Sequence, residues 1–234
     1  MVRTHFQRYY GIGPEDLYVL PSAIDPERFV DYDRPRRRLE FRQQWGIAAE
    51  ETVALFVAMN YRLKGLEPLL HAVARMPIVQ PREKAFRLVV AGSPETGVYE
   101  RLVRRLGIAE QVCFIGPCRE MRNGYFAADF LVHPTFYDPC SLVVLEALAC
   151  ALPVVTSRYN GASELLTPPR EGYVVGNPHD HDHLAWCMTQ LLDPARRAAC
   201  SQAARKAAAQ WTFEHHYRQL LQVFNEAAAR KRAA

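Results

Sequence analysis

The apolar residues of this chain fall into short unbroken runs, set between stretches of helical spacing. The runs ETVALFVAMN (51–60), FRLVVAG (86–92), QVCFIG (111–116), DFLVHP (129–134), LPVVTS (152–157) and GYVV (172–175) read as six strands. They lack the polar alternation of a half-solvated sheet, as expected of strands covered on both faces. After the first run, Leu66, Leu69, Leu70, Val73 and Ala74 recur at i, i+3, i+4, i+7 and i+8, one face of a helix. Glu100–Leu106 reads as a helix with Gly107 as its C-cap. Further helices are expected over Met121–Ala128, Ser141–Cys150, Asp180–Leu192, Pro194–Trp211 and Phe213–Ala229. Strands alternating with helices make βαβ units, and right-handed crossovers wind these into a parallel sheet with helices on both faces. The expected fold is α/β, a doubly wound Rossmann-like sheet.

The two ends do not share this pattern. Residues 1–30 hold one short strand candidate, LYVLP (17–21), and little other periodicity. The last helix follows the last strand. We therefore divide the chain into an entry segment (1–30), a Rossmann-like domain (31–211) and a C-terminal helix (212–234). Trp211, Phe213, Tyr217 and Leu220 are expected to be exposed apolar residues on that helix and its approach, a surface that favours association.

Composition narrows the class. About half the residues are apolar (49%) and 23% are charged, which suits a packed core and argues against disorder. No run of 18 apolar residues occurs, so no transmembrane helix is expected. The opening MVRTHFQRYYGIG has no apolar stretch of signal-peptide length, and a cytoplasmic location is expected. The net charge of +4 comes with clusters at Arg34–Arg38, Arg101–Arg105 and Arg230–Arg232. These read as solvated helix faces, or else as attraction to an anionic ligand or to the inner face of a membrane. No aromatic–basic interleaving points to nucleic acid. The six cysteines form no CxxC pair and fit no zinc template, so reduced thiols and no structural metal are expected.

Ligands of open parallel sheets bind beyond the carboxyl ends of the strands, so the segments there carry the candidate chemistry. After the first strand, Asn60-Tyr61-Arg62-Leu63-Lys64-Gly65 puts two cations before a helix start, which suits a diphosphate or is an ordinary surface turn. After the fourth, Asp138 lies in the loop and Glu146 inside an apolar helix. A carboxylate there needs a partner, either ligand hydroxyls or a core arginine. Asp138-Pro139 also reads as an N-cap followed by proline at the first helical position. After the fifth, Asn160-Gly161-Ala162-Ser163-Glu164 suits a tight turn opening a short helix.

Asp138-x7-Glu146 running into Ala147-Leu148-Ala149-Cys150-Ala151-Leu152-Pro153-Val154-Val155 resembles the Glu-x7-Glu signature of the family 4, or group 1, retaining glycosyltransferases. Arg62-Leu63-Lys64-Gly65, Tyr125-x-x-Ala128-Asp129 and Pro21-Ser22-Ala23-Ile24-Asp25 are similar to that family's "R-KG", "Y-x-x-AD" and "PNG-D" segments, so the resemblance spans nearly the whole chain. It departs at Asp138 in place of Glu, at Pro139-Cys140-Ser141 in place of glycine-aromatic-glycine, at Ser22-Ala23 in place of Asn-Gly, and at Ala58-Met59 where an arginine is usual.

The resemblance implies the C-terminal, donor-binding half of a GT-B fold. It assigns Asp138, Lys64 and Arg62 to catalysis and Glu146, Ser141, Leu142 and Cys140 to the donor. Gly116 and Cys118, after the third strand, are the candidates for base recognition. The implied reaction transfers a sugar from a nucleoside diphosphate sugar to an acceptor hydroxyl with retention, without metal or cofactor, in cell-envelope polysaccharide synthesis. It also implies that the acceptor is bound by an N-terminal domain or partner chain preceding this segment, with Met1 an internal start or a fragment boundary. Other readings are a non-catalytic nucleotide-binding module and a different GT-B enzyme such as an epimerase. A nicotinamide enzyme would want G-x-G-x-x-G where Asn60–Gly65 stands.

Overall fold

The computed structural model describes residues 2–30, 33–77 and 86–233. Six strands form one parallel sheet: β1 (Thr52–Ala58), β2 (Phe86–Gly92), β3 (Val112–Gly116), β4 (Phe130–His133), β5 (Val154–Ser157) and β6 (Gly172–Val175), in the order β3-β2-β1-β4-β5-β6. The chain steps outward from β1 to β3, returns to place β4 on the other side of β1, and then steps outward again. The connections leaving β1 and β4 therefore diverge to opposite sides and open a crevice between them.

Helices α3 (Leu66–Val73), α4 (Gly97–Leu106) and α7 (His181–Gln190) cover one face, where Phe56, Phe130, Val132 and Val155 are buried. Helices α2 (Arg34–Gln44), α5 (Met121–Ala127), α6 (Leu142–Ala149) and α8 (Pro194–Ala208) lie over the other, above Leu55, Leu131 and Val154. All four residues of β4 and of β5 are buried, which accounts for their unbroken apolar runs.

All six expected strands form, and the expected helices form with small shifts at their ends. Helix α8 stops at Ala208 rather than Trp211, and α9 runs over Phe213–Ala233. LYVLP is not a strand: it is extended, but it pairs with no strand among the described residues, and Tyr18 and Val19 are exposed. A strand needs a neighbour to take its backbone hydrogen bonds, and pattern alone does not supply one.

Two helices carried no usable periodicity. Helix α1 (Val2–Tyr10) buries none of its residues, and α2 buries only Phe41 and Arg42. What holds α2 is polar. The Arg42 guanidinium donates to the carbonyls of Ala127, Ala48, Ala49 and Glu51 and, at 2.9 Å, to Asp129 Oδ2. Arg38 reaches Asp129 Oδ1 at 2.8 Å, and the Val53 N–H donates to Asp129 Oδ2 at 2.7 Å. The Arg34–Arg38 cluster is thus no simple solvated face: Arg38 points inward, Arg34 lies over the Phe126 ring, and Arg36 pairs with Asp33 and Glu40.

The chain ends meet each other. Ile24 bridges Thr212, and its N–H donates to the Trp211 carbonyl at 3.0 Å. The Tyr18 hydroxyl donates to Glu226 at 2.9 Å, and His216 Nδ1 lies 2.9 Å from the Pro21 carbonyl. Phe213 and Tyr217 are exposed as expected, joined by Leu221 and Phe224, whereas Trp211 and Leu220 are half-buried because α9 lies against the 15–24 segment. Among the described residues no helix is long and apolar enough to cross a membrane.

Asp129→Ala leaves the buried Arg42 charge unpaired and is expected to cost about 3–5 kcal/mol in denaturant unfolding. Arg38→Ala, at the half-buried edge of the same clamp, should cost less, about 1 kcal/mol. His133, at the end of β4, is buried with neither ring nitrogen hydrogen-bonded. Burial, with Lys64 adding, lowers its pKa to about 4. The unfolded chain holds the proton more tightly, so the stability from a neutral His133 is complete above pH ~6.5 and drains away as pH falls toward 4. Unfolding at pH 7.5 and 4.5 should reveal a loss of about 2–3 kcal/mol in the native chain that His133→Leu does not show.

Candidate functional site

Three loops at the carboxyl edge of the sheet build one site. The turn after β1 is held by the Asn60 side chain, which accepts from the Leu63 N–H at 2.9 Å. It closes at Gly65, where φ is +81° and a Cβ would stand 2.2 Å from the Pro134 carbonyl oxygen. Only glycine fits so close to the β4 exit loop, and this approach brings Lys64 across the crevice. The Phe136 N–H donates to the Leu63 carbonyl at 2.9 Å, tying the two loops together.

Lys64 Nζ donates to Asp138 Oδ2 at 2.6 Å and to the Tyr137 carbonyl at 3.2 Å. Asp138 Oδ2 also accepts from the Ser141 hydroxyl, and Oδ1 accepts from the Cys140 N–H at 3.1 Å. Burial raises the Asp138 pKa, but the hydrogen bonds from Lys64 and Ser141 outweigh it and hold the carboxyl below its ordinary value. The site therefore contains an ionised carboxylate and an ammonium. An ammonium has three N–H donors and a carboxylate about four acceptor sites, so after these contacts Lys64 keeps one donor and Asp138 one acceptor. Asp138 is not an N-cap: α6 begins three residues beyond Pro139, with Ser141 as its cap residue.

The loop after β5 supplies the third wall. Asn160 is fully buried; its Oδ1 accepts from the N–H groups of Ser141 (3.2 Å) and Ala162 (3.1 Å), and its Nδ2 donates to Thr156 (3.0 Å). The expected turn of helix appears over Gly161–Leu165 with Asn160 as its cap. Gly161 is obligatory, since a Cβ there would sit 1.7 Å from the Pro139 carbonyl oxygen. With the Ser141 N–H taken by Asn160, the first-turn N–H groups of Leu142 and Val143 remain without a partner among the described residues.

Glu146 is half-buried on α6, and its Oε2 accepts the Tyr125 hydroxyl at 2.5 Å. The core partner is thus a tyrosine rather than an arginine. Burial and the neighbouring Glu146 charge push the Tyr125 pKa well up, so the phenol keeps its proton and donates. The second Glu146 oxygen stays available. Cys140 lines a cleft of about 530 Å³ together with Asp138, Gly161 and Glu164, walled on the far side by Phe6 and residues 17–22.

The remaining candidates do not join this cluster. Arg62 lines a separate groove with Phe136, His71, His179 and His181. Gly116 ends β3, two strands out from β1, with Cys118 just beyond it, half-buried. Asn160 and Tyr125 were not singled out as site residues. For Asn160 the signal in the sequence is its position after β5, and for Tyr125 it is the Tyr125-x-x-Ala128-Asp129 segment together with the apolar tract around Glu146, which calls for a polar partner.

The pair at the centre is testable without a ligand. In a double-mutant cycle of Lys64→Met and Asp138→Asn, each single change should destabilise the fold, and the double variant should recover about 1–3 kcal/mol of coupling. Additive effects would mean that the two groups do not interact in solution.

The chain matches the family model for glycosyl transferases group 1 over residues 37–207. It is 35% identical over 201 residues to D-inositol 3-phosphate glycosyltransferase 2 of Catenulispora acidiphila, covering 82% of this chain and 46% of that protein. A crystal structure of WaaG, a glycosyltransferase involved in lipopolysaccharide biosynthesis, superposes with a TM-score of 0.74 and 27% identity, covering 88% of this chain and 55% of that one. The fold of Anabaena HepE, solved in complex with UDP, superposes with a TM-score of 0.81 at 22% identity, covering 96% of this chain and 61% of that one. This chain spans about half the length of the curated relatives it matches. With the family model matched over most of the Rossmann-like domain, this chain belongs to the group 1 glycosyl transferases.

Proposed function

We propose that this chain is the donor-binding half of a glycosyltransferase that moves a sugar from a nucleoside diphosphate sugar to an acceptor hydroxyl with retention. The observation that carries this reading is the convergence of Lys64, Asp138 and Ser141 at the crevice between β1 and β4, with one donor and one acceptor left over. The spare Lys64 N–H, with the open N–H groups of Leu142 and Val143, meets the diphosphate. The spare Asp138 lone pair takes a donor-sugar hydroxyl, and the free oxygen of Glu146 takes the ribose. Negative charge grows on the diphosphate as the bond to the anomeric carbon breaks, and a preorganised cation beside it lowers that barrier. Arg62 faces the neighbouring groove, so the diphosphate contact rests on Lys64.

The acceptor and the groups that orient it belong, in this reading, to a domain or partner outside this chain that docks against the exposed Phe213, Tyr217, Leu221 and Phe224 of α9. The names of the relatives, inositol phosphate and lipopolysaccharide glycosyltransferases, favour a polyhydroxylated acceptor, and the same proposal includes a cytoplasmic role in building the cell envelope.

Thermal unfolding with uridine, guanosine and adenosine diphosphates tests the donor site and names the base. A nucleotide at ~100 times its dissociation constant should stabilise the fold by about 2.7 kcal/mol. Lys64→Met and Glu146→Ala should each weaken that binding about tenfold or more, a loss of about 1.4 kcal/mol. A folded chain that none of the three nucleotides stabilises would overturn the proposal.

A further inference from the structure

The groove that receives Arg62 lies beside the proposed donor cleft, on the far side of the loop after β4. It has a volume of about 600 Å³ and runs between the turn after β1 and the start of α7. Three imidazoles meet in it. His71 stacks flat on His181, with ring centroids 5.0 Å apart and planes 13° apart, and His179 stands 6.4 Å from His181. The Phe136 ring packs on His179 at 4.8 Å. Arg62 is exposed at the mouth, and the Asn60 side-chain NH₂ has no partner among the described residues, its oxygen being used by the turn.

The charged groups around the groove come from α3, α4 and α7 as well as from the turn that carries Arg62. Arg75, which follows α3, pairs with Asp182 at 3.1 Å, so each offsets the other's charge on His181. On α7, Asp180 is used as the cap of the His183 N–H at 3.0 Å. Glu67 is the one carboxylate among the lining residues, and Tyr99 of α4 approaches Arg62 and Glu67. The start of α7 adds the positive end of its dipole. Burial, together with the charges of His71, Arg75 and His179, lowers the His181 pKa, so an empty groove resists protonation at that ring. Among the described residues no set of His, Cys, Asp or Glu side chains is arranged to hold a metal ion.

We propose that this groove is a phosphoryl-anion site separate from the donor cleft. It takes a phosphate monoester whose phosphoryl group meets Arg62, His71 and His181 while the Phe136 and His179 rings flank the rest of the molecule. Its affinity climbs as the imidazoles gain protons, because each bound proton adds a charge that faces the anion.

Sulfate is the first probe, since its charge is constant across the window and any pH dependence belongs to the protein. Imidazole resonances of the full chain are titrated with sulfate at pH 7.5 and 5.5, with ionic strength held by chloride. The resonances of His71 and His181 should move, those of His215 and His216 on α9 should not, and sulfate affinity should rise about threefold or more on acidification. Inorganic phosphate should displace sulfate. Arg62→Gln and His181→Gln should each abolish the response, and His181→Gln should leave stabilisation by the nucleoside diphosphate unchanged. Sulfate shifts that chloride reproduces, or that persist in both variants, overturn the site. Loss of nucleotide stabilisation in His181→Gln would make the groove part of the donor cleft and overturn its separateness.

Discussion

The salt bridge between Lys64 and Asp138 is the contact on which the site depends. It joins the turn after β1 to the loop after β4 across the point where the strand order reverses. Two charges so close in a half-buried crevice persist only because each has further partners: Tyr137 and the carboxylate for the ammonium, Ser141 and the Cys140 N–H for Asp138. The backbone around the pair is equally constrained. Gly65 and Gly161 both stand where no side chain fits, one against Pro134 and one against Pro139, and Asn160 ties the β5 loop to the start of α6. The groups meant for a ligand are thus held in place before one arrives, which reduces the ordering cost of binding.

The motif segments divide between chemistry and construction. In Tyr125-x-x-Ala128-Asp129, the tyrosine donates to Glu146, while the aspartate clamps Arg42, Arg38 and the Val53 N–H of β1. One short stretch before β4 therefore sets the orientation of a candidate ribose ligand and fastens α2 to the body of the domain. Helix α2 needs such a fastening because it offers little apolar surface of its own.

The strands and most helices were legible because burial on both faces of a parallel sheet leaves continuous apolar runs, and covering helices leave a 3.6-residue stripe. Asp138, Lys64 and Glu146 were legible for a related reason: ionised groups at strand exits or inside an apolar helix stand out against their neighbours. Helices α1 and α2 were not legible. The first buries nothing, and the second is held by a guanidinium that reaches the Ala127 carbonyl 85 residues away and the Asp129 carboxylate beyond it, which no local pattern records. LYVLP misled because an apolar run specifies a strand only when a neighbouring strand exists to pair with it.

Local sequence determined the order of elements, the fold class and which charged residues had to find partners, because those follow from burial periodicity and desolvation along the chain. Only the tertiary structure decided which partners they found. It set Lys64 on Asp138 and turned Arg62 into a histidine-lined groove two residues away, and it gave Glu146 a tyrosine instead of an arginine. Side chains close in sequence diverge at a turn, and residues 74 positions apart, like Lys64 and Asp138, converge when strand order reverses. The geometry of a site at a sheet edge is a property of loop crossings, and those exist only once the sheet has formed.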